Sequence, residues 1–287
     1  MIKSFLRTWR FISHHPLVSR KRSIAIAQWF KWQIGSRILK MPVIFPWIGE
    51  SKLVAELGMT GATGNIYAGL HEFVDMAFCL HVLRSGDLFV DVGANIGSYT
   101  VLASKVIGAN SLSLEPVPVT FERLIRNINI NEINNLVDAR RCAVGNANGT
   151  LKFSSDCDTT NQVVDQNYVG VAIEVPVTSL DTMLENLKPT LIKIDVEGYE
   201  PQVIEGAIKT LMCDSLLAIL LETVNPEIER ALKNSGFNSA SYDPFERNLL
   251  MSANNQLSSN YLWIKNSDLV IDRCKSAPKQ KALGILF

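Results

Sequence analysis

The residues best placed to do chemistry begin with the run Asp91-Val92-Gly93-Ala94-Asn95-Ile96-Gly97. Gly93 and Gly97 remove side chains where a backbone must approach a ligand closely. Asp91 offers a carboxylate to turn amides or to a ligand ammonium. The apolar run Leu88-Phe89-Val90 before it reads as a buried strand, and Ser98 to Ile107 reads as a helix. The turn therefore delivers its ligand to a helix N-terminus, where backbone N–H groups point outward. Glu115 follows Gly97 by eighteen residues and ends a second strand. A carboxylate there accepts both hydroxyls of a ribose, and Pro116 stiffens the chain beside it. Dinucleotide binders carry G-x-G-x-x-G, with room for a pyrophosphate. Here Asn95 stands at the middle glycine position, giving D-x-G-x-N-x-G. A wider turn bearing an acid suits an amino-acid group with an ammonium better than it suits a diphosphate. Two other readings stay open at this level: an oxidoreductase using a nicotinamide dinucleotide, and a non-enzymatic membrane-associated module on a vestigial fold.

The elements that must position these residues alternate along the chain. Phe73, Met76, Ala77 and Leu80 predict a helix over 70–83, broken at Ser85-Gly86-Asp87. After the glycine turn come a strand over 111–115 and a helix opened by Pro118. That helix has Phe121, Leu124, Ile125 and Ile128 as its apolar stripe. A third strand spans 136–144, and Leu151 to Phe153 pairs with Val171 to Val177 around a polar loop. Thr178 to Asp181 reads as a capping box, with Leu180, Met183, Leu184 and Leu187 as the buried face behind it. A fourth strand covers 191–195. Pro201 opens a helix whose core face is Val203, Ile204, Ala207, Ile208 and Leu211. Leu216 to Leu221 is a central strand, and a helix near 226–235 and strands near Phe237 and Tyr261 to Ile264 complete the sheet. This order predicts a Rossmann-like α/β fold, doubly wound on a mostly parallel sheet of about seven strands. Ligands in such sheets bind beyond the carboxyl ends of the strands.

At this point two segments resemble a known family. Asp87 to Thr100, DLFVDVGANIGSYT, resembles the first motif of the FkbM family of methyltransferases. Lys193 to Glu200, KIDVEGYE, resembles its second, and the lead-in Tyr67 to Glu72 also fits. The similarity spans about 66–223. The resemblance implies a class I methyltransferase fold. It also implies S-adenosylmethionine-dependent O-methylation of a hydroxyl on a sugar, glycan or related metabolite. By position it implies that Asp91, Gly93, Asn95 and Gly97 hold the methionine part and Glu115, beside Pro116, the ribose. Cys142 and Ala143 would then lie near the adenine, and Asp195 would face the methyl group.

An alcohol is a weak nucleophile, so a general base helps as its proton leaves. Asp195 or Glu197 fits that role. The two would share a strand face, but Gly198 indicates that the turn has begun. The alternative role is an Asp195-centred oxygen site for a divalent metal ion that lowers the acceptor pKa. The residues leave the choice open, and base without metal is the preferred reading. Glu200, before Pro201, reads as a helix-start acid. His71, in the lead-in, is a further candidate base. His81, ten residues on, faces another side of the same helix, and Glu222 closes the fifth strand at the same sheet edge.

Charge is uneven over the 287 residues. Residues 1–49 hold nine Lys or Arg and no acid, and the remainder holds nineteen basic and twenty-eight acidic side chains. Ile2, Phe5, Leu6, Trp9 and Ile12 fall at helical spacing among Lys3, Arg7 and Arg10, and four of the five tryptophans precede residue 50. This basic, Trp-rich helical arm suits an anionic membrane surface. It equally suits a Trp face packed on the catalytic domain or on a second copy in a homo-oligomer. No nucleic-acid partner is expected, because no recognised motif accompanies the charge. The expected organisation is an arm over 1–49, a catalytic domain over 50–265 and a tail over 266–287. Cys79, Cys142, Cys157, Cys213 and Cys274 are scattered without C-x-x-C spacing. That pattern points to a reducing, cytoplasmic setting, peripheral at the inner membrane face if the arm binds lipid.

Overall fold

In the computed structural model the described residues are 13–154, 168, 170–251, 258 and 260–287. The arm residues Ile2 to Ile12, and Cys157, lie outside them. The elements in chain order open with α1 (Pro16–Arg20) and α2 (Arg22–Leu39), then β1 (Val43–Pro46), β2 (Lys52–Ala55), α3 (Thr60–Ala68) and α4 (Phe73–Val82). Next come β3 (Leu88–Val92), α5 (Ser98–Val101) running into a π-helical turn (Leu102–Ile107), β4 (Asn110–Leu114), α6 (Pro118–Asn131), β5 (Val137–Arg140), β6 (Ala143–Val144), β7 (Gly149–Ser154) and β8 (Ala172–Thr178). Then follow α7 (Leu180–Met183), β9 (Pro189–Ile194), α8 (Glu200–Glu205), α9 (Ile208–Leu211), β10 (Ala218–Leu221), α10 (Pro226–Asn234), β11 (Asn238–Asp243), β12 (Asn248–Met251), β13 (Tyr261–Ile264), α11 (Ser267–Ser276), β14 (Lys281–Ala282) and β15 (Ile285–Leu286).

The main sheet has the order β12-β11-β13-β10-β9-β3-β4-β5. Strands β3, β4, β5, β9 and β10 are mutually parallel. β13 runs antiparallel between β10 and β11, and β12 hairpins onto β11. The chain leaves β3 toward one edge through β4 and β5, then returns to β9 and β10 on the other side. The strand order reverses between β3 and β9, and a doubly wound sheet opens its ligand crevice at such a point. The result is the class I methyltransferase architecture, Rossmann-like, with eight strands where the sequence predicts about seven. The additional one is β12, a short strand that follows the turn after Asp243.

The period of two along each strand sorts the side chains. Phe89, Leu191, Ala218 and Leu220 join a core with Leu17, Ile48 and helix α4, all ten residues of which are buried. Val90, Ile192, Ile219 and Leu221 face the opposite core with Leu180, Val203, Ile204 and Leu232. By the same alternation Asp91 and Lys193, register partners on β3 and β9, fall on the α4 face at the carboxyl edge. The ladder runs one residue beyond the strands, through the Asp195 N–H to the Val92 carbonyl (3.0 Å) and the Glu222 N–H to the Ile194 carbonyl (3.2 Å).

Several expectations are corrected. The strand expected over 136–144 divides at Cys142, where β5 stays in the main sheet and β6 pairs with β8 in a separate three-stranded sheet. The helix after Pro201 breaks at Gly206. A Cβ there would lie 2.0 Å from the Gly145 carbonyl oxygen, so only glycine fits, and Ile208 turns outward. Behind the predicted capping box Leu187 is exposed, because α7 is a single turn. Ser179 alone caps it, its hydroxyl accepting from the Thr182 N–H, while Asp181 accepts from the Lys209 and Thr210 N–H groups. The core also draws on residues before 50 and after 265. Leu17 is fully buried in it at one end, and Val270, Cys274 and Phe287 at the other. His15 Nε2 donates to the Leu70 carbonyl at 2.8 Å, and Arg20 stacks on Phe245 at 3.6 Å. Trp32 is buried and Trp47 Nε1 donates to the Gly69 carbonyl, so these two indoles of the arm are spent on packing.

Leu17→Ala is therefore expected to destabilise the whole protein by about 2–5 kcal/mol. Denaturant unfolding measures this, and a change within about 0.5 kcal/mol, as at an uninvolved surface site, contradicts it.

Candidate active site

A cleft of about 280 Å³ opens at the switch point. Its floor is the β3–α5 turn. Gly93, Asn95 and Gly97 all have positive φ, at 78°, 51° and 85°. Asparagine is among the few side chains that tolerate this region. The Gly93 and Ala94 N–H groups donate to the Leu114 carbonyl at 2.9 and 3.0 Å. A Cβ on Gly93 would sit 1.9 Å from the Asp195 carbonyl oxygen, so the glycine lets β3 and β9 close together under the cleft. A Cβ on Gly97 would meet Leu124 Cδ1 at 2.5 Å, so this glycine admits α6. Beneath the turn, Asn127 accepts from the Val54 N–H at 2.9 Å and donates to the Ile96 carbonyl at 2.8 Å.

Glu115 reaches back across the strand ends. One carboxylate oxygen accepts from the Asn95 N–H and the other from the Val117 N–H, both at 2.9 Å. It lines the cleft, as does Pro116. Burial pushes its pKa up to about 7 against those two donors. Asp91 is buried just below. Thr100 donates to it at 2.7 Å, and burial raises its pKa while Lys193 opposes the rise. The turn amides expected to reach Asp91 instead find Leu114 and Glu115, which are nearer the turn.

Across the cleft, charge concentrates at the ends of β9 and β10. Lys193 is buried with its Nζ 2.6 Å from Asp195 and 4.8 Å from the Tyr99 ring centroid. Burial alone would drive its proton off, yet Asp195, Glu72 and Asp91 outweigh burial and raise its pKa. The same ammonium holds the Asp195 carboxyl below its usual range despite burial. Asp195 and Glu222 sit close together at the strand ends, and burial together with the Asp195 charge pushes Glu222 up to about 8. Burial and the neighbouring Asp195 and Glu200 also raise Glu197, which sits at φ 50° on the loop after β9. One oxygen from each of Asp195, Glu197 and Glu222 lies within 4.8 Å of the others. Glu200, fully buried, takes the Val196 and Gly198 N–H groups and the Thr223 hydroxyl, and so fixes this loop rather than facing the cleft.

His71, Glu72, Cys142, Ala143 and Phe153 complete the walls. The His71 ring packs on Gly64, where a Cβ would lie 2.0 Å from Nδ1, and burial lowers its pKa. The His71 backbone N–H donates to Asn65 Oδ1 at 2.8 Å, and Asn65 Nδ2 donates to Ser98 at the start of α5. Tyr99 donates to Glu72 at 2.7 Å. The cleft thus gathers Asp91, Gly93, Asn95, Glu115, Pro116, Cys142, Ala143, Asp195, Glu197 and His71. Gly97 lies just behind, at the α6 contact. His81 does not join them. It is buried in the core 2.6 Å from the Tyr242 hydroxyl. Sequence reasoning assigned no role to Lys193, Glu72, Tyr99 or Phe153. A lysine inside the apolar strand Leu191-Ile192-Lys193-Ile194 was the available signal for a buried charge.

Three comparisons bear on this site. The family described as the Methyltransferase FkbM domain matches residues 91–239, just over half of the chain. The methyltransferase sdnD of Sordaria araneosa is 25% identical over 205 residues, 58% of this chain and 79% of that protein. The hexuronic acid methyltransferase AglP of Haloferax volcanii is 30% identical over 135 residues, 46% of this chain and 54% of its own length. The chain is also similar to the solved methyltransferase FkbM of Methylobacillus flagellatus. That match has a TM-score of 0.44 at 16% identity and covers 63% of this chain and 44% of that one. The chain therefore spans about half the length of the Haloferax relative and less than half of the solved one.

The Gly93 contact gives a direct check. Gly93→Ala is expected to destabilise by more than about 2 kcal/mol, since a backbone oxygen must move in addition to the strain of positive φ. Gly86→Ala, with φ 85° and nothing within 4 Å, incurs only that strain, about 1–2 kcal/mol. Equal losses in urea unfolding contradict the packing argument.

Proposed function

The chain belongs to the FkbM family of methyltransferases, and on that premise we propose that it transfers a methyl group from S-adenosylmethionine to a hydroxyl oxygen on a sugar, glycan or related metabolite. The observation that carries the reading is the carboxyl pair Asp195–Glu222, backed by the Lys193 ammonium and opening on the same cleft as the glycine turn. The sugar class draws support from the Haloferax relative, whose name specifies hexuronic acid.

S-adenosylmethionine is the usual cofactor of this family. The donor set suits a nucleoside that bears an amino acid. Asp91 and the turn Gly93–Gly97 are assigned to its methionine part, with Asn95 shaping the turn. Glu115 is assigned to the ribose. Each of its oxygens accepts one backbone N–H and keeps a second lone pair for a hydroxyl. Pro116, Cys142, Ala143 and Phe153 form the apolar walls assigned to the base. When bound, this cofactor supplies a methyl group on a positively charged sulfur, already a good electrophile.

What the chain must add is alignment and a place for one proton. Lys193 keeps Asp195 ionised, which makes Asp195 a weak base. Glu222, beside the Asp195 charge, holds a proton more tightly and, once deprotonated, takes the proton of the acceptor hydroxyl as the carbon–oxygen bond forms and the methyl–sulfur bond breaks. The Asp195 charge raises the basicity of Glu222, Glu197 contacts the acceptor from the loop, and His71, kept neutral by burial, offers a hydrogen bond from the cleft wall. A divalent ion on Asp195, Glu197 and Glu222 is the competing use of these oxygens. The Lys193 ammonium at 2.6 Å already balances the Asp195 charge, so the metal-free base is preferred.

A base of this kind acts when deprotonated. Methyl transfer under kcat conditions is expected to rise with pH through about 8, the range to which Glu222 is pushed. Glu222→Gln should remove that rise and lower kcat about 10²–10⁴-fold with cofactor affinity unchanged. A variant that keeps the wild-type profile contradicts the assignment.

The acceptor class is read from the product. With methyl-labelled S-adenosylmethionine and a uronate-containing glycan fraction, the label is expected in ethers that survive mild alkali. Label released as methanol indicates esterification of a carboxylate instead. No transfer to any fraction, with no heat on titrating the cofactor, overturns the reading.

A further inference from the structure

Helix α2 is apolar on two opposite sides. Its inner side carries Ala25, Trp32 and Ser36, all buried, and Gln33 beside them donates to the Tyr67 hydroxyl at 3.1 Å. Trp32 packs in one cluster with Ala62, Tyr67 and Ile96, so the helix is anchored to the turn that lines the cleft. That anchoring fixes what the other side presents. Phe30, Ile34 and Ile38, spaced four apart, are 53%, 58% and 73% exposed. At about 100° per residue they span roughly 80° of the helix, with Trp32 about 160° away from Ile34. Met41, 61% exposed, and Ile44, 56% exposed, continue the apolar surface beyond the helix end.

The charges flanking this stripe along the chain are all of one sign. Lys31 and Arg37 lie about 60° to either side of Ile34, and both are exposed. Lys21 and Arg22 precede the stripe, Lys40 follows it, and residues 13–49 contain no acid at all. A second protein surface or a second copy of this chain would match the apolar residues. The net-acidic body of a second copy would meet some of the cations, but a protein surface does not present negative groups all round the stripe as lipid head groups do. An anionic bilayer surface uses both. The rings and branched side chains enter the acyl boundary, and lysine and arginine reach up to the head groups. We propose that the outer face of α2, from Phe30 to Ile38 with Met41 beside it, docks on anionic membrane lipid and lays the cleft domain against the bilayer. Among the described residues no helix is long and apolar enough to cross a membrane, so this contact is peripheral. It goes beyond the methyl-transfer reading and stands or falls separately.

The test is sedimentation of the full-length protein with vesicles of phosphatidylcholine alone and with 30% phosphatidylglycerol, an order-of-magnitude anionic fraction for charge-assisted binding. Wild type is expected on the anionic vesicles, with the bound fraction falling as salt rises. Ile34→Glu/Ile38→Glu should weaken binding at least tenfold while leaving the thermal midpoint and cofactor binding unchanged. Lys31→Gln/Arg37→Gln should weaken it on anionic vesicles and no further on neutral ones. Binding by the Ile34/Ile38 variant equal to wild type overturns the proposal, because residues 1–12 would then suffice. So does a wild type that ignores vesicles. So does light scattering in which the stripe variant turns a dimer into a monomer, since the occupant would then be a second copy.

Discussion

The site depends on one buried ammonium. Lys193 sits in the middle of an otherwise apolar strand, 3% exposed, with Asp195, Asp91 and Glu72 around it and the Tyr99 ring over it. A lone charge so placed would cost several kcal/mol in desolvation. Lys193 and Asp195 hold each other ionised. The arrangement also sets an asymmetry. Asp195, next to the ammonium, is pulled down, while Glu222, one strand further and facing Asp195 rather than Lys193, is pushed up. Two acids at one edge thereby acquire opposite tendencies to hold a proton, the pattern by which a fold can run base chemistry near neutral pH.

Backbone geometry brings that edge to the cleft at the switch point. Because the strand order reverses at β3 and β9, their carboxyl ends leave a crevice without any side chain having to vacate it. The glycine at 93 then lets the two strand ends approach until Asp195 and the turn share a wall. Glu115 ties the second strand to the same turn through Asn95. The arm and the C-terminal residues add to the core rather than hang from it. Helix α2 in particular is clamped beside Ile96, one residue from the turn's Asn95. The outward face of the arm is therefore rigidly related to the cleft.

Much of this was legible in the sequence because it rests on local rules. The D-x-G-x-N-x-G turn, the strand–helix alternation and Glu115 at a strand end follow from spacing and residue type. The eighth strand, the division of the third strand at Cys142 and the helix break at Gly206 were not legible. The last two are settled by contacts with distant segments, such as the Gly145 carbonyl that Gly206 must admit, and the eighth strand is a four-residue hairpin return onto β11. His71 and His81 were ten residues apart on one predicted helix, but α4 begins at Phe73, so His71 lies in the turn before it on the cleft wall while His81 packs against Tyr242. The roles of Lys193 and Glu72 were hidden inside motifs read for their acids and glycines. The tryptophans of the arm suggested a membrane belt, but Trp32 and Trp47 are consumed by packing, and the exposed stripe is built from Phe30, Ile34 and Ile38 instead.

The Lys193 ammonium is proposed to divide the labour between Asp195 and Glu222. Carboxyl-carbon NMR of the full-length protein, titrated from pH 4 to 10 with Asp195 and Glu222 resonances assigned by substitution, reads it most directly, since unperturbed carboxyls titrate near 4. The account gives an Asp195 that stays ionised across the range, and a Glu222 that titrates near 8 and falls back toward 4 once Lys193→Met lets Asp195 take the proton. A Glu222 that titrates near 4 in the wild type, or an unchanged pair of curves in Lys193→Met, would contradict it.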